Sequence, residues 1–387
     1  MGRATGVMYA CVLAASGLGL VGCGADATGG ADGLSVDGAT DTASDTGPEV
    51  DGNPPADTAT AGDTTALDGA DSTAEADARS DTSTTSSGSW FAQTMAWEVP
   101  VDVLSPHARS AAMIGALADR GGWGNNDTFQ IDFSLTVLEA DAGTPLRTFT
   151  PNDDFYAGDC DLVPLPVPPG GALEGEEGYA CEGDGDCHLI VRTDDTLYEM
   201  WRANIAASGA FDGGCLAVWD LARTWPETLR GEGCTSADAA GLPIAPLLFT
   251  ADEVQAGEIA HAIRFILPNT RIAHRQYVRP GTHATGAASA DVDGMPYGVR
   301  LRLRADYPLA ALPNEGARVV ARALQKYGMI LADGGQIALT AASDSTAAAR
   351  WDGLLGPRDL AALDVSDFAV VDMGEVFDWS GDCERTR

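Results

Sequence analysis

Three of the five histidines sit where a side chain could do acid–base work. His188 closes Asp186-Cys187-His188, just before the apolar run Leu189-Ile190-Val191. His261 lies in Ile259-Ala-His-Ala-Ile-Arg264, where strand alternation puts it on the face of Ile259, Ile263 and Phe265. That is a polar residue on an apolar face, either a hydrogen-bonded core histidine or one lining a cleft. His283 follows Pro280-Gly-Thr in a loop. Among the acids, Tyr198-Glu199-Met200-Trp201 places Glu199 and Trp201 on one strand face, an acid beside an indole that can stack on a sugar ring. Asp333 ends the run Met329-Ile-Leu-Ala and precedes Gly334-Gly335, at a strand end. The plain alternative for each is structural: a satisfied core histidine, a core-edge tryptophan, a turn aspartate.

The basic residues are concentrated. Between 259 and 304 there are seven arginines against Asp291 and Asp293, a local charge of +5. In Arg300-Leu301-Arg302-Leu303-Arg304, period two sets the three guanidiniums on one face. Such a row suits bidentate contact with carboxylates or sulfates of a polymer, or else pairs with neighbouring acids.

Two cleavage chemistries fit these residues. A lyase needs an arginine to neutralise a uronate carboxylate, a histidine or tyrosine as base and a tyrosine as acid. A hydrolase needs paired acids, here Glu199 and Asp333. His188 and His261 are the further catalytic candidates. Arg300, Arg302, Arg304, Trp201, His283 and Tyr327 are expected to contact substrate. The histidines lack HxH or HxxxH spacing, so no metal or cofactor is expected. Gly-x-Ser-x-Gly, His-Glu-x-x-His and Walker patterns are missing as well.

The elements that must hold these groups read as mostly β. Strands are expected at 129–137, 162–167, 188–192, 197–203, 215–221, 259–267, 276–278, 299–304, 329–332, 336–339 and 368–371. Helices are expected from Ser105-Pro106 to Asp119, from the Thr250–Glu253 capping box, and over 315–327 with Gly328 as its stop. Many short strands with Gly/Pro turns predict a single jelly-roll-like two-sheet β-sandwich with a few short helices. It occupies residues 90–387.

The preceding residues read as address and tether. Residues 1–23 have a basic start at Arg3 and a short apolar core. Leu20-Val21-Gly22-Cys23 resembles the bacterial lipobox, in which the cysteine takes the lipid, and Gly24-Ala25 rather than Asp follows it. Residues 24–89 are Ala/Asp/Thr/Gly/Ser with 14 acids, one arginine and no aromatic residue, so a disordered acidic linker is expected. The expected location is exported, lipid-anchored to the outer membrane or cell surface, with the membrane touched only through Cys23.

The whole chain carries −34 on 387 residues, which excludes nucleic acid as a bulk partner. Six cysteines follow the linker: Cys160, Cys181, Cys187, Cys215, Cys234 and Cys383. An even number in an exported chain predicts disulfides, here taken as Cys181–Cys187, Cys215–Cys234 and Cys160–Cys383.

Several stretches have a family likeness. They are Thr235-Ser-Ala-Asp-Ala-Ala-Gly241-Leu-Pro, Asp252-Glu253-Val-x-x-Gly257-Glu-Ile-x-His261-Ala-Ile-Arg-Phe265, Gly294-Met-Pro-Tyr-Gly-Val-Arg-Leu-Arg302 and Ala323-Leu-Gln-Lys-Tyr-Gly328-Met-Ile-Leu-Ala-Asp333. With Asp186-x-His188 and Tyr198-Glu-Met-Trp201, they resemble an uncharacterised family of exported bacterial proteins associated with carbohydrate-active or surface modules. The resemblance implies export and a β-rich fold, and singles out His188, His261, Arg300 and Asp333. The expected partner is a polysaccharide or other cell-surface glycan, bound and cleaved, or bound without cleavage by an adhesion protein using the same face.

Overall fold

A computed structural model describes residues 89–387 apart from 184, 372, 373 and 387. The chain divides into two units, 1–79 and 80–387, and all that follows concerns the second. The 1–23 signal, Cys23 and all but the last residue of the 24–89 linker lie outside the described residues.

Along the chain, α1 (Ser110–Asp119) precedes β1 (Ile131–Leu135) and β2 (Val137–Glu139). Then come β3 (Leu189–Arg192), β4 (Thr196–Trp201) and β5 (Cys215–Asp220). Helix α2 (Ala251–Ala256) leads to β6 (Ile263–Leu267), β7 (Ile272–Val278), β8 (Met295–Tyr297) and β9 (Arg300–Leu303). Helix α3 (Glu315–Lys326) leads to β10 (Met329–Gly334), β11 (Leu339–Ala342), β12 (Phe368–Val370) and β13 (Val376–Asp378).

Strands predominate and helices are few, as expected. The largest sheet runs β1-β11-β6-β10-β9-β12, the second β5-β4-β3-β2 and a third β8-β7-β13. The pairings are mixed: β1 with β11 and β6 with β10 are parallel, while β9 is antiparallel to both neighbours. A jelly-roll order does not emerge from them. The inner strands β10 and β11 are buried over Met329–Ala332 and Leu339–Ala342, which explains why those stretches are largely apolar.

The four-stranded sheet is a wall between two cores. Alternation along β4 sends Leu197 into the larger core and Met200 into the smaller one. Ile190 and Trp219 join the first side, Leu189, Val191 and Leu216 the second. Helix α3 buries Val319, Val320, Ala323 and Leu324. Asn314 caps it, accepting from the Ala317 amide at 2.8 Å. Gly328 ends it at φ +72, where an added Cβ would meet the Leu301 carbonyl at 2.5 Å.

Several boundaries differ from expectation. Helix α1 starts at Ser110, not 105, because Pro106 bridges Val371 and the His107 amide donates to Val370 along β12. The run 129–137 breaks into β1 and β2, which join different sheets. Strand β6 starts at Ile263, so His261 lies ahead of it rather than on its face. The strand expected at 336–339 is β11, beginning at Leu339.

All six described cysteines are paired, but two of the three expected pairings are corrected. Cys181–Cys187 stands; the others are Cys160–Cys215 and Cys234–Cys383. Cys234 leads the 235–241 loop and receives the C-terminal segment, whose strand Glu384–Arg385 pairs with Gly231–Glu232. Local spacing could not reveal that exchange.

Candidate functional site

The site is built around Arg264. Strand β6 carries it into the interior, 4% exposed. Its guanidinium grips both Asp238 carboxylate oxygens at 2.9 Å, a bidentate pair with Asp238 itself 1% exposed. The Asp333 carboxylate lies 3.6 Å from the same guanidinium. A register shift explains how Asp333 arrives. Arg264 pairs with Ile330 and Phe265 with Leu331, but Ile266 pairs with Asp333, skipping Ala332. Without that bulge Asp333 would point to the opposite face from Arg264; with it, both share one face. The skipped residue's carbonyl accepts from the Ala240 amide at 2.8 Å, tying β10 to the 235–241 loop.

That loop is locked from within and from below. Ser236 Oγ donates to the Leu242 carbonyl at 2.6 Å and accepts from the Asp238 amide at 3.0 Å. His188, at the head of β3, supports it from beneath. Its Nδ1 lies 2.6 Å from Glu174 Oε2 and its Nε2 lies 3.1 Å from the Ala237 carbonyl. Both partners are acceptors, so both nitrogens donate. Burial alone would lower the His188 pKa; the Glu174 charge and hydrogen bond outweigh it and raise it to about 9. His188 is therefore a buried imidazolium that holds the loop, not a poised base.

Asp333 behaves in the opposite sense to an ordinary carboxylate. Burial, the neighbouring Asp238 charge and a hydrogen bond with Asp238 push it up to about 8, against the pull of Arg264. It is a proton-bearing acid at neutral pH. Its side chain is 26% exposed, opening into a cavity of about 370 Å³. Trp201 and Tyr156 form one wall of that cavity, with ring centroids 6.3 Å apart. Asp186 accepts from the Trp201 indole N–H, and Asn269, Tyr297 and Thr285 add polar groups to the lining.

His283 stands in the same lining, 3% exposed. Its Nδ1 lies 2.6 Å from the Ala239 carbonyl and so carries the proton. Its ring meets Trp379 edge-on at 4.6 Å. Burial is the main cause that lowers its pKa to about 4, helped by the Arg275 charge. It is a neutral imidazole whose Nε2 is buried without a hydrogen-bond partner.

Of the residues singled out from sequence, Asp333, Trp201 and His283 thus come together, with His188 supporting them. The others lie elsewhere. Glu199 is fully buried and satisfied: it accepts from Trp219 Nε1 at 3.0 Å and from the Ile244 and Ala245 amides at 2.8 Å each. It anchors the short helical turn Ala245–Leu247 and has no face open to a substrate. His261 caps its neighbourhood, with Nδ1 at 2.8 Å from the Ala262 carbonyl and Nε2 at 3.3 Å from Glu253. Arg300 donates to the Val99 and Ala96 carbonyls, and Arg302 to those of Val101, Asp102 and Leu104. Arg304 pairs with Asp306 and Asp367. Arg300 and Arg302 do share a strand face, but their partner is internal: they clasp residues 96–104, while Arg304 lies past the strand's end. Tyr327 is buried beneath the Lys326 ammonium, 4.9 Å from its ring.

Asp238, Arg264, Tyr156 and Tyr297 were not singled out from the sequence. Asp238 and Arg264 do lie inside the stretches that carried the family likeness, and only their pairing was invisible. No family model, curated protein or solved structure matches the chain. The functional reading therefore rests on the geometry of the site.

Proposed function

We propose that this is an exported, lipid-anchored surface protein whose Trp201–Tyr156 pocket binds a glycan and hydrolyses it. The observation that carries the proposal is Asp333, a proton-bearing carboxylic acid opening into a cavity walled by two aromatic rings. The rings offer stacking faces for a sugar. Asp333 protonates the departing glycosidic oxygen while water adds at the anomeric carbon and gives its proton to solvent. Burial and the Asp238 charge keep Asp333 protonated against the pull of Arg264, and His188 keeps the Asp238 loop in place. A jelly-roll strand order is not needed for this reading.

Elimination is the weaker chemistry here. A lyase must neutralise a uronate carboxylate, yet no arginine or lysine is among the pocket-lining residues, and Arg264 is occupied by Asp238 and Asp333. One observation favours a non-catalytic glycan binder: the carboxylates of Asp238 and Asp333 share a single guanidinium nitrogen of Arg264, at 2.9 and 3.6 Å. Hydrolytic carboxylate pairs stand roughly 5–9.5 Å apart.

The test is a panel of neutral, uronate-bearing and amino polysaccharides. The wild type is expected to release new reducing ends without unsaturated uronate, and Trp201→Ala to lose binding by about tenfold or more. Binding with no product supports the binder; unsaturated product overturns hydrolysis.

A further inference from the structure

Two disulfides close on the aromatic wall of the pocket. Cys215 is the cross-strand partner of Trp201 between β5 and β4, so their side chains share a sheet face. Cys160, to which Cys215 is bonded, ends a tight turn that starts at Tyr156. In that turn the Asp159 and Cys160 amides donate to the Tyr156 carbonyl at 3.2 and 3.0 Å. The bond thus ties the turn bearing Tyr156 to the strand position beside Trp201, and the two rings stand 6.3 Å apart. Tyr156 is 46% exposed, so core packing alone does not fix it.

The second bond, Cys181–Cys187, secures Trp201 by another route. Cys187 continues the alternation of Leu189 and Val191 into the smaller core, where Cys181 meets it. Its neighbour Asp186 accepts from the Trp201 indole N–H. The Cys187 carbonyl accepts from the Ala203 amide at 2.9 Å, and the Gly185 carbonyl from Arg202 Nε at 3.0 Å. The bridged stretch Glu182-Gly-Asp-Gly-Asp186 has no apolar residue to anchor it, and its two glycines leave it many conformations once the bond is cut. The next residue, His188, keeps its own anchor in Glu174. None of the six cysteines lies on a strand of the largest sheet, which carries Arg264 and Asp333.

We propose that the cystines Cys160–Cys215 and Cys181–Cys187 are positioning residues of the pocket: they hold Tyr156 and Trp201 ready for the sugar, whereas Arg264 and Asp333 are held by the sheet. The proposal rests on the glycan reading above and states how the binding face of that site is set. A wall fixed in advance spares the ligand the entropy of ordering it. Cutting either bond therefore weakens binding and leaves the acid on its strand.

Full-length Cys160→Ser/Cys215→Ser and Cys181→Ser/Cys187→Ser test this beside wild type and Trp201→Ala, with soluble cellulose, chitosan and polygalacturonate as probes. On a probe that wild type binds, each paired variant is expected to bind about tenfold weaker, with saturated turnover within about threefold. In the Trp201→Ala background, removing either bond should cost no more than about threefold further, because both act through that wall. A full tenfold loss there overturns the proposal. Hydrogen exchange reads the same claim without a ligand: amides in 154–160 and 201–205 should exchange faster in the variants, with β6 and β10 unchanged. Unchanged exchange in both stretches overturns the positioning role, whatever the polysaccharides do. Faster exchange across β6 and β10 as well overturns it, because the bonds then support the whole domain. Faster exchange confined to the wall, with no probe bound by wild type, overturns the glycan reading and keeps the positioning role.

Discussion

Asp333, His188 and His283 each depart from their ordinary protonation, and pH should expose them one by one. The folded state holds a proton on Asp333 up to about 8 and on His188 up to about 9, whereas unfolded chains release these protons near 4 and 6.5. The folded form therefore binds more protons than the unfolded form across the neutral and alkaline range, and stability falls as pH rises. His283, lowered to about 4, acts oppositely and loses its contribution as pH falls from about 6.5. We expect the melting temperature to decline from pH 6.5 to 9. Asp333→Asn should flatten the part below about 8 and His188→Gln the part up to about 9. A melting temperature that rises over that range would contradict the assigned protonation. Glu199 makes a different prediction. Glu199→Ala leaves three buried donors unmet, so a loss of about 3–5 kcal/mol is expected in denaturant unfolding. The folded fraction should keep its turnover number. A selective loss of turnover with unchanged stability would restore Glu199 as a catalytic candidate.

At the scale of elements, the arginine strand and the bulged strand carry the opposite lessons. Period two correctly placed Arg300 and Arg302 on one face, because a regular strand obeys alternation. The sequence could not say that the face is covered by the chain's own residues 96–104. We expect Arg300→Ala/Arg302→Ala to leave several carbonyls of that segment without donors, to lower stability by about 1–3 kcal/mol, and to speed proteolysis near residue 100. Glycan binding should not change; a loss of it would return the row to the site. Strand β10 shows where alternation fails. Its bulge at Ala332 turns Asp333 onto the face of Arg264, and no residue type in Met329–Gly334 announces it. Helix α3 was legible because its apolar stripe and stop are local, as were β3, β4 and β5 through their apolar runs. The loops bearing Asp238 and His283 were not, because their positions are set by contacts across 44 to 94 residues of chain.

For the molecule as a whole, charge and crosslinks act together. A net charge of −34 repels itself, and the bond Cys234–Cys383 spans 149 residues, so it removes much loop freedom from the unfolded chain. The paired Cys234→Ser/Cys383→Ser variant is expected to lose about 4–5 kcal/mol and to free the C-terminal strand. Unchanged stability in denaturant would deny the bond that role. At the pocket, Asp186, Asp238 and Asp333 stand in the lining, with Asp238 paired to the buried Arg264. The expectation of an anionic glycan held by an arginine row gives way to a row whose Arg300 and Arg302 are spent on the chain's own carbonyls. The central claim is that Asp333 is the acid that cleaves a glycan bound against Trp201. It is tested most directly by measuring binding and reducing-end release side by side for wild type and Asp333→Asn on a polysaccharide that the wild type degrades. The account predicts that Asp333→Asn binds within about threefold of wild type while turnover falls at least about a hundredfold. Turnover preserved in Asp333→Asn would contradict it.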